Sequence, residues 1–229
     1  MPSPIFCFLP ATCLTWLCLI SSIAAQEKQI VSCRFVAAEE STKPLIHLLS
    51  EGQEVEITAL KTKVSKPIDC LAIDGRINFI SKSSREPIAS LTVPEKLKEA
   101  ILVFTKNPNK KGIPWKILSF ENSTENYPPG GARVINLTPS EMRLILGKKR
   151  KTLKPLESTP FERPVERDQF NMARATYQVK NRNEEWVPIK NTAYRFVPPR
   201  RFIILTFLDP KAKRPRIRTI SDTPPLPVE

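Results

Sequence analysis

His47 is the only imidazole in the 229-residue chain, so a Ser-His-Asp or Cys-His mechanism would have to run through it. Its neighbours in Leu45-Ile46-His47-Leu48-Leu49 are apolar, which points to a partly buried structural side chain. A zinc site draws on several His or Cys ligands, and the chain has too few of either, so no metal and no other cofactor is expected. Asp69, Asp74 and Glu86 are too scattered in sequence for the regular oxygen spacing of a calcium loop. Glu184-Glu185 beside Trp186 pairs carboxylates with a ring that stacks on sugars, the makings of glycoside hydrolysis. The competing reading is a solvated turn leading into a strand with a core Trp, and it is preferred. Pro128-Pro129-Gly130-Gly131 lacks the Lys-Ser/Thr and the helix of a phosphate loop and reads as a turn. Asn122-Ser-Thr and Asn136-Leu-Thr match glycosylation acceptors, the second weakened by Pro139. None of these sets carries a complete catalytic pattern, and the chain is not expected to be an enzyme.

Charge is the stronger signal. Residues 26–130 hold 15 basic and 13 acidic side chains, a net +2, whereas residues 131–229 hold 21 and 10, a net +11. The excess gathers in two runs: Lys148, Lys149, Arg150, Lys151 and Lys154, then Lys211, Lys213, Arg214, Arg216 and Arg218. Such runs attract polyanions; alternatively they solubilise hairpin tips and guard edge strands. No aromatic nucleic-acid motif accompanies them.

The address narrows the partner. Met1 to Ala25 contains no charged residue, and its apolar stretch Ile5–Ile23 ends in Ser-Ser-Ile-Ala-Ala. Small residues at Ser22 and Ala24 predict a secretory signal peptide over 1–25. The uncharged start Met-Pro-Ser-Pro leaves an uncleaved anchor helix as the alternative, since about 19 apolar residues span a bilayer. The protein is therefore expected outside the cytoplasm, periplasmic or extracellular. Cys33 and Cys70 remain after cleavage. An even pair in an oxidising compartment is a disulfide candidate, worth about 4 kcal/mol at the upper end; two buried thiols in neighbouring strands is the alternative.

The elements that must position these residues follow a period-two grammar. Strands are expected at Ile30–Val36, Glu54–Thr58, Ile77–Ile80, Ala89–Val93, Trp115–Phe120, Ala132–Leu137, Met142–Leu146, Arg150–Leu153, Phe170–Val179, Glu185–Ile189 and Phe202–Phe207, with an edge strand at Ile217–Ile220. Ala100–Phe104 is a continuous apolar run, expected of a strand buried on both faces. Twenty-three prolines argue against long helices. Pro94–Glu99 admits a turn or two of helix. Thr138-Pro-Ser-Glu141 spells a capping box, but Gly147 follows so soon that a hairpin is preferred. The expectation is an all-β protein of two small antiparallel, immunoglobulin-like β-sandwich units: 26–127, a basic 128–221, and a disordered tail at 222–229. A single larger sandwich is the alternative.

The buried strand Ile101–Phe104, the strand Trp115–Phe120, the Pro-Pro-Gly turn before Ala132-Arg-Val-Ile-Asn-Leu137, the hairpin Leu144–Gly147 and the strand Arg200–Leu205 are together similar to uncharacterised exported bacterial β-sandwich proteins. The resemblance, over residues 98–221, implies a fold and an envelope setting and brings no activity. The functional expectation is thus a non-catalytic binding or scaffolding module of a bacterial envelope. Its basic half would contact an anionic envelope polymer or an acidic protein surface, with peripheral membrane contact as a further option and no nucleic acid. The alternatives are a structural subunit joined to other envelope proteins by strand addition and a carboxylate-dependent glycan enzyme.

Overall fold

Alternating apolar residues close a core in each half of the chain, and two uninterrupted apolar runs join the halves to each other. The computed structural model describes residues 27–48, 53–107, 112–209 and 211–223; the expected signal peptide and the last residues of the tail lie outside them. The strands are β1 (Lys28–Ala37), β2 (Leu45–Leu48), β3 (Glu54–Ile57), β4 (Ile68–Ile73), β5 (Arg76–Ser81), β6 (Pro87–Thr92), β7 (Glu99–Lys106) and β8 (Trp115–Glu121). They continue as β9 (Ala132–Asn136), β10 (Met142–Leu146), β11 (Lys149–Leu153), β12 (Ser158–Phe161), β13 (Met172–Lys180), β14 (Trp186–Arg195), β15 (Arg201–Leu208) and β16 (Pro215–Asp222). The protein is all-β, as its sequence predicts. Among the described residues there is no helix: Pro94–Glu99 makes one turn, closed by Leu97 N–H to Pro94 O at 3.0 Å, and the capping-box segment leads straight into β10.

In the first half, eight strands form one sheet in the order β3-β2-β5-β4-β1-β7-β8, with β6 on β5. Its inward side chains bury a core in which Phe79 meets Phe35 and Phe104 edge-on, with centroids 6.1 and 5.4 Å apart. That geometry suits the ring quadrupoles.

The second half is a sandwich of two four-stranded sheets, β11-β10-β13-β14 and β12-β9-β15-β16. Met142, Leu144 and Leu146 of β10 and Ala175 and Tyr177 of β13 face Val134, Phe202 and Ile204 of the opposite sheet. Gly131 makes the entry to this half possible. A Cβ there would lie 2.3 Å from the Phe161 carbonyl oxygen, so the Pro-Pro-Gly-Gly punctuation is a turn that lets β9 approach the end of β12.

The outer side of β9-β15-β16 does not face water. Ile135, Ile203, Leu205, Phe207 and Ile220 pack on Val36, Ile101, Val103 and Phe120 of the first half. This is why β7 and β15 are apolar at consecutive positions: both of their faces are covered. One buried ionic group sits in this junction. Asp222 accepts from Arg34 Nη2 at 2.6 Å and Nη1 at 3.0 Å, and from Arg201 Nη2 at 2.8 Å. The Arg201 guanidinium also lies 3.9 Å from the centroid of the Tyr127 ring. Asp222, at the start of the expected tail, is therefore the last residue of β16.

Candidate anion-binding surface

The two basic runs lie at opposite ends of the second sandwich. Lys148 stands in the β10–β11 turn, at the end where β13 and β15 begin, while Lys211–Arg214 form the β15–β16 turn where those strands finish. The eight residues of β15 separate these ends by about 26 Å at ordinary strand rise.

Within each run, register decides what the cation does. Lys151 pairs with Leu144 and so points into the sandwich; its ammonium donates to Pro160 O at 2.6 Å and Thr159 Oγ1 at 3.1 Å. Burial, and secondarily Lys149, lower its pKa. Arg218 donates to the carbonyls of Ala38 and Glu39 and lies 5.0 Å from the centroid of the Phe207 ring, stapling the two halves. Lys148 meets Glu166 at 3.5 Å, Lys149 meets Glu162, and Arg216 meets Asp209 at 3.3 Å. The side chains of Arg150, Lys154, Lys211, Lys213 and Arg214 are exposed and make no ion pair or hydrogen bond with the described residues.

A more coherent surface lies on the outward face of β11-β10-β13-β14. Because Leu144, Leu153, Ala175 and Tyr177 point inward, the alternation sends Arg143, Arg150, Thr152, Arg174, Thr176 and Gln178 outward. The pairings Arg174↔Ala193 and Met172↔Arg195 bring Arg195 to the same side. These four strands contain eight Lys or Arg and no Asp or Glu. Arg150, Arg174 and Arg195 step diagonally across the face toward one end; ideal sheet spacings put Arg174 and Arg195 about 8 Å apart. The Arg143 guanidinium lies 3.8 Å from the centroid of the Trp186 ring, a contact that holds it against the sheet. Arg143, Arg174 and Arg195 are far apart in sequence, so a search for linear charge runs passes over them. The polar alternation of Met-Ala-Arg-Ala-Thr-Tyr-Gln-Val-Lys was the signal that would have found one of them. Such a face can hold an anion by Coulomb attraction and guanidinium hydrogen bonds.

The other candidate chemistry is accounted for structurally. His47 is 2% exposed; its Nε2 accepts from Leu71 N–H at 2.8 Å and its Nδ1 meets Asn78 O at 2.9 Å. Both ring nitrogens are engaged, which fixes a neutral tautomer with the proton on Nδ1. Cys33 and Cys70 are buried free thiols on adjacent strands, two residues out of register, since Val31 is the partner of Cys70. The Cys33 thiol hydrogen-bonded to Cys70, together with burial, holds Cys70 above the usual thiol range. Glu184 pairs with Lys180, Glu185 accepts from Asn181 Nδ2 at 3.0 Å, and Trp186 carries Arg143 on its ring. Asn136 is fully buried, donating to Ser140 O and Leu153 O, so the folded protein does not present it as a glycosylation acceptor. Asn122 is half-buried and donates to Glu99 at 3.1 Å. No cluster of three metal-ligating side chains occurs among the described residues. Compared with known proteins, the chain matches no family model and no curated protein.

Proposed function

We propose that this is an exported, non-catalytic binding or scaffolding protein of the bacterial envelope, and that its basic half contacts an anionic partner through the outward face of β11-β10-β13-β14. The observation that carries the reading is that Arg143, Arg150, Arg174 and Arg195 project from one face of four strands that contain no Asp or Glu. A surface that needed charge only for solubility would gain as much from mixed signs. Export rests on the apolar, uncharged first 25 residues. The contacts are Arg143, Arg150, Arg174 and Arg195, with Lys148 and Lys149 at the rim; Lys151 and Arg218 serve the fold.

The test is retention on a soluble polyanion, dextran sulfate, across a salt series. Arg174→Glu with Arg195→Glu should elute at clearly lower salt than the parent at unchanged melting temperature. Equal elution rejects the face. Strand addition is less favoured at three edges of the second sandwich, which are guarded. β12 has four residues and contains Pro160, β11 carries Lys149, Arg150 and Lys151, and β14 has Pro188 beside a break in register.

A further inference from the structure

We infer that the partner of this basic face is an anionic lipid bilayer, docked at the end of the second sandwich where the β12–β13 loop lies. The inference rests on the anionic-partner reading and names the partner. Two features coincide at that end. The first is positive charge: Lys148 is in the β10–β11 turn, Arg174 and Arg195 are near the ends of β13 and β14, and Arg200 is exposed just before β15. The second is apolar. On loop residues 162–171, Val165 is 80% exposed and Phe170 is 62% exposed, the two most exposed large apolar side chains described in this half.

Neither side chain is on a loose segment. Asp168 Oδ1 accepts from Phe170 N–H at 2.9 Å and Met172 N–H at 2.8 Å, and Asn171 N–H closes on Asp168 O at 2.9 Å. Arg163 ties the loop to Phe196 O at 3.2 Å and to Asn171 Oδ1 at 3.1 Å, and the Arg167 guanidinium bonds the Pro164 carbonyl. Much of the loop's backbone is thus satisfied locally, and its exposed carboxylates Glu162 and Glu166 are paired with Lys149 and Lys148, which lowers the cost of bringing it against a headgroup layer. It holds Val165 and Phe170 out in water, where they gain nothing.

A soluble polyanion or an acidic glycan would satisfy the arginines and leave both apolar side chains wet. A bilayer with anionic headgroups satisfies both, since headgroups meet the cations while the ring and the branched side chain enter the headgroup–acyl boundary. The combination of modest apolar area and several cations is what reversible interfacial attachment requires.

The experiment is co-sedimentation of the full mature chain with vesicles of phosphatidylglycerol and phosphatidylcholine, and with phosphatidylcholine alone, alongside retention on dextran sulfate. The parent should bind the anionic vesicles and not the neutral ones. Val165→Ser with Phe170→Ser should weaken vesicle binding about tenfold or more and leave dextran sulfate retention untouched, whereas Arg174→Glu with Arg195→Glu should weaken both. A second variant, Phe170→Trp, should show a blue-shifted emission on anionic vesicles. Vesicle binding unchanged by the serine pair, or a tryptophan that stays in water, overturns the inference. A parent that binds dextran sulfate but no vesicle also overturns it while leaving the anionic-partner reading standing; binding to neither removes both.

Discussion

Replacing Asp222 by Ala tests whether the two halves are joined by an ionic centre or merely by apolar contact. Its carboxylate is 3% exposed and receives three charge-assisted bonds, from Arg34 at 2.6 and 3.0 Å and from Arg201 at 2.8 Å. Both guanidiniums are as deeply buried, at 7% and 6% side-chain exposure. Deleting the carboxylate leaves two cations out of water with only the Ser65 and Tyr127 carbonyls and the Tyr127 ring. Removing one partner of a buried pair costs about 3–5 kcal/mol. For a folded unit of this size that lowers the melting temperature by roughly 6–20 °C. The assay is urea denaturation and calorimetry of the variant against the parent. A loss below about 1 kcal/mol would refute the account, because uncompensated burial cannot be that cheap. A control separates charge from shape: Arg34→Met, Arg201→Met and Asp222→Leu together should recover most of the loss, since an apolar replacement of a buried ionic group is often neutral. If the triple variant is as unstable as Asp222→Ala, packing rather than charge is responsible.

Other outcomes follow from single side chains. Burial, opposed by its bond to Asn78, depresses the pKa of His47 from the ordinary 6.5. The unfolded chain therefore takes up a proton that the native protein refuses, and stability should fall as pH drops below 6.5 toward the folded pKa; a flat stability profile there would contradict the buried neutral ring. The Tyr127 hydroxyl is buried without a hydrogen-bond partner among the described residues, so Tyr127→Phe should melt at the same temperature as the parent or higher, and a clear loss would reveal a missed partner. Lys151→Ala should reduce stability by about 1 kcal/mol or more while leaving dextran sulfate retention unchanged, the reverse of Arg174→Glu. Thiol titration of residues 26–229 with an aromatic disulfide reagent should find no reactive thiol in the native protein and two after denaturation; none after denaturation would contradict the free pair.

The strand grammar was legible because burial imposes it. β7 and β15 could be read directly as apolar runs, and β13 as strict alternation. β2, β4 and β12 were not read as strands, for different reasons. β2 is only Leu45–Leu48, β4 places Asp69 and Cys70 amid apolar residues, and Pro160 in β12 argues against any strand. β14 was expected to stop at Ile189 but runs to Arg195, since its long pairing with β13 outweighs a weak local pattern. The site was half legible. Linear counting placed the excess charge in the second half, but it grouped cations that the fold separates by a strand length. It also included Lys151 and Arg218, whose inward positions follow only from knowing the register.

The order in which the sheets close has a consequence for synthesis. β1 pairs in parallel with β7, and β9 in parallel with β15, so Phe202–Thr206 must return to Ala132–Asn136 before the second sandwich has its central pair. Contacts this distant in sequence form slowly. Until β15 and β16 arrive, Val36, Ile101, Val103 and Phe120 of the first half lack the surface that covers them. The emerging chain is therefore adhesive until residues 201–222 have been made, a state in which chaperone retention helps and aggregation competes. A chain ended before Arg201 would keep the residues of its first core and leave Val36, Ile101, Val103 and Phe120 without the strands that cover them.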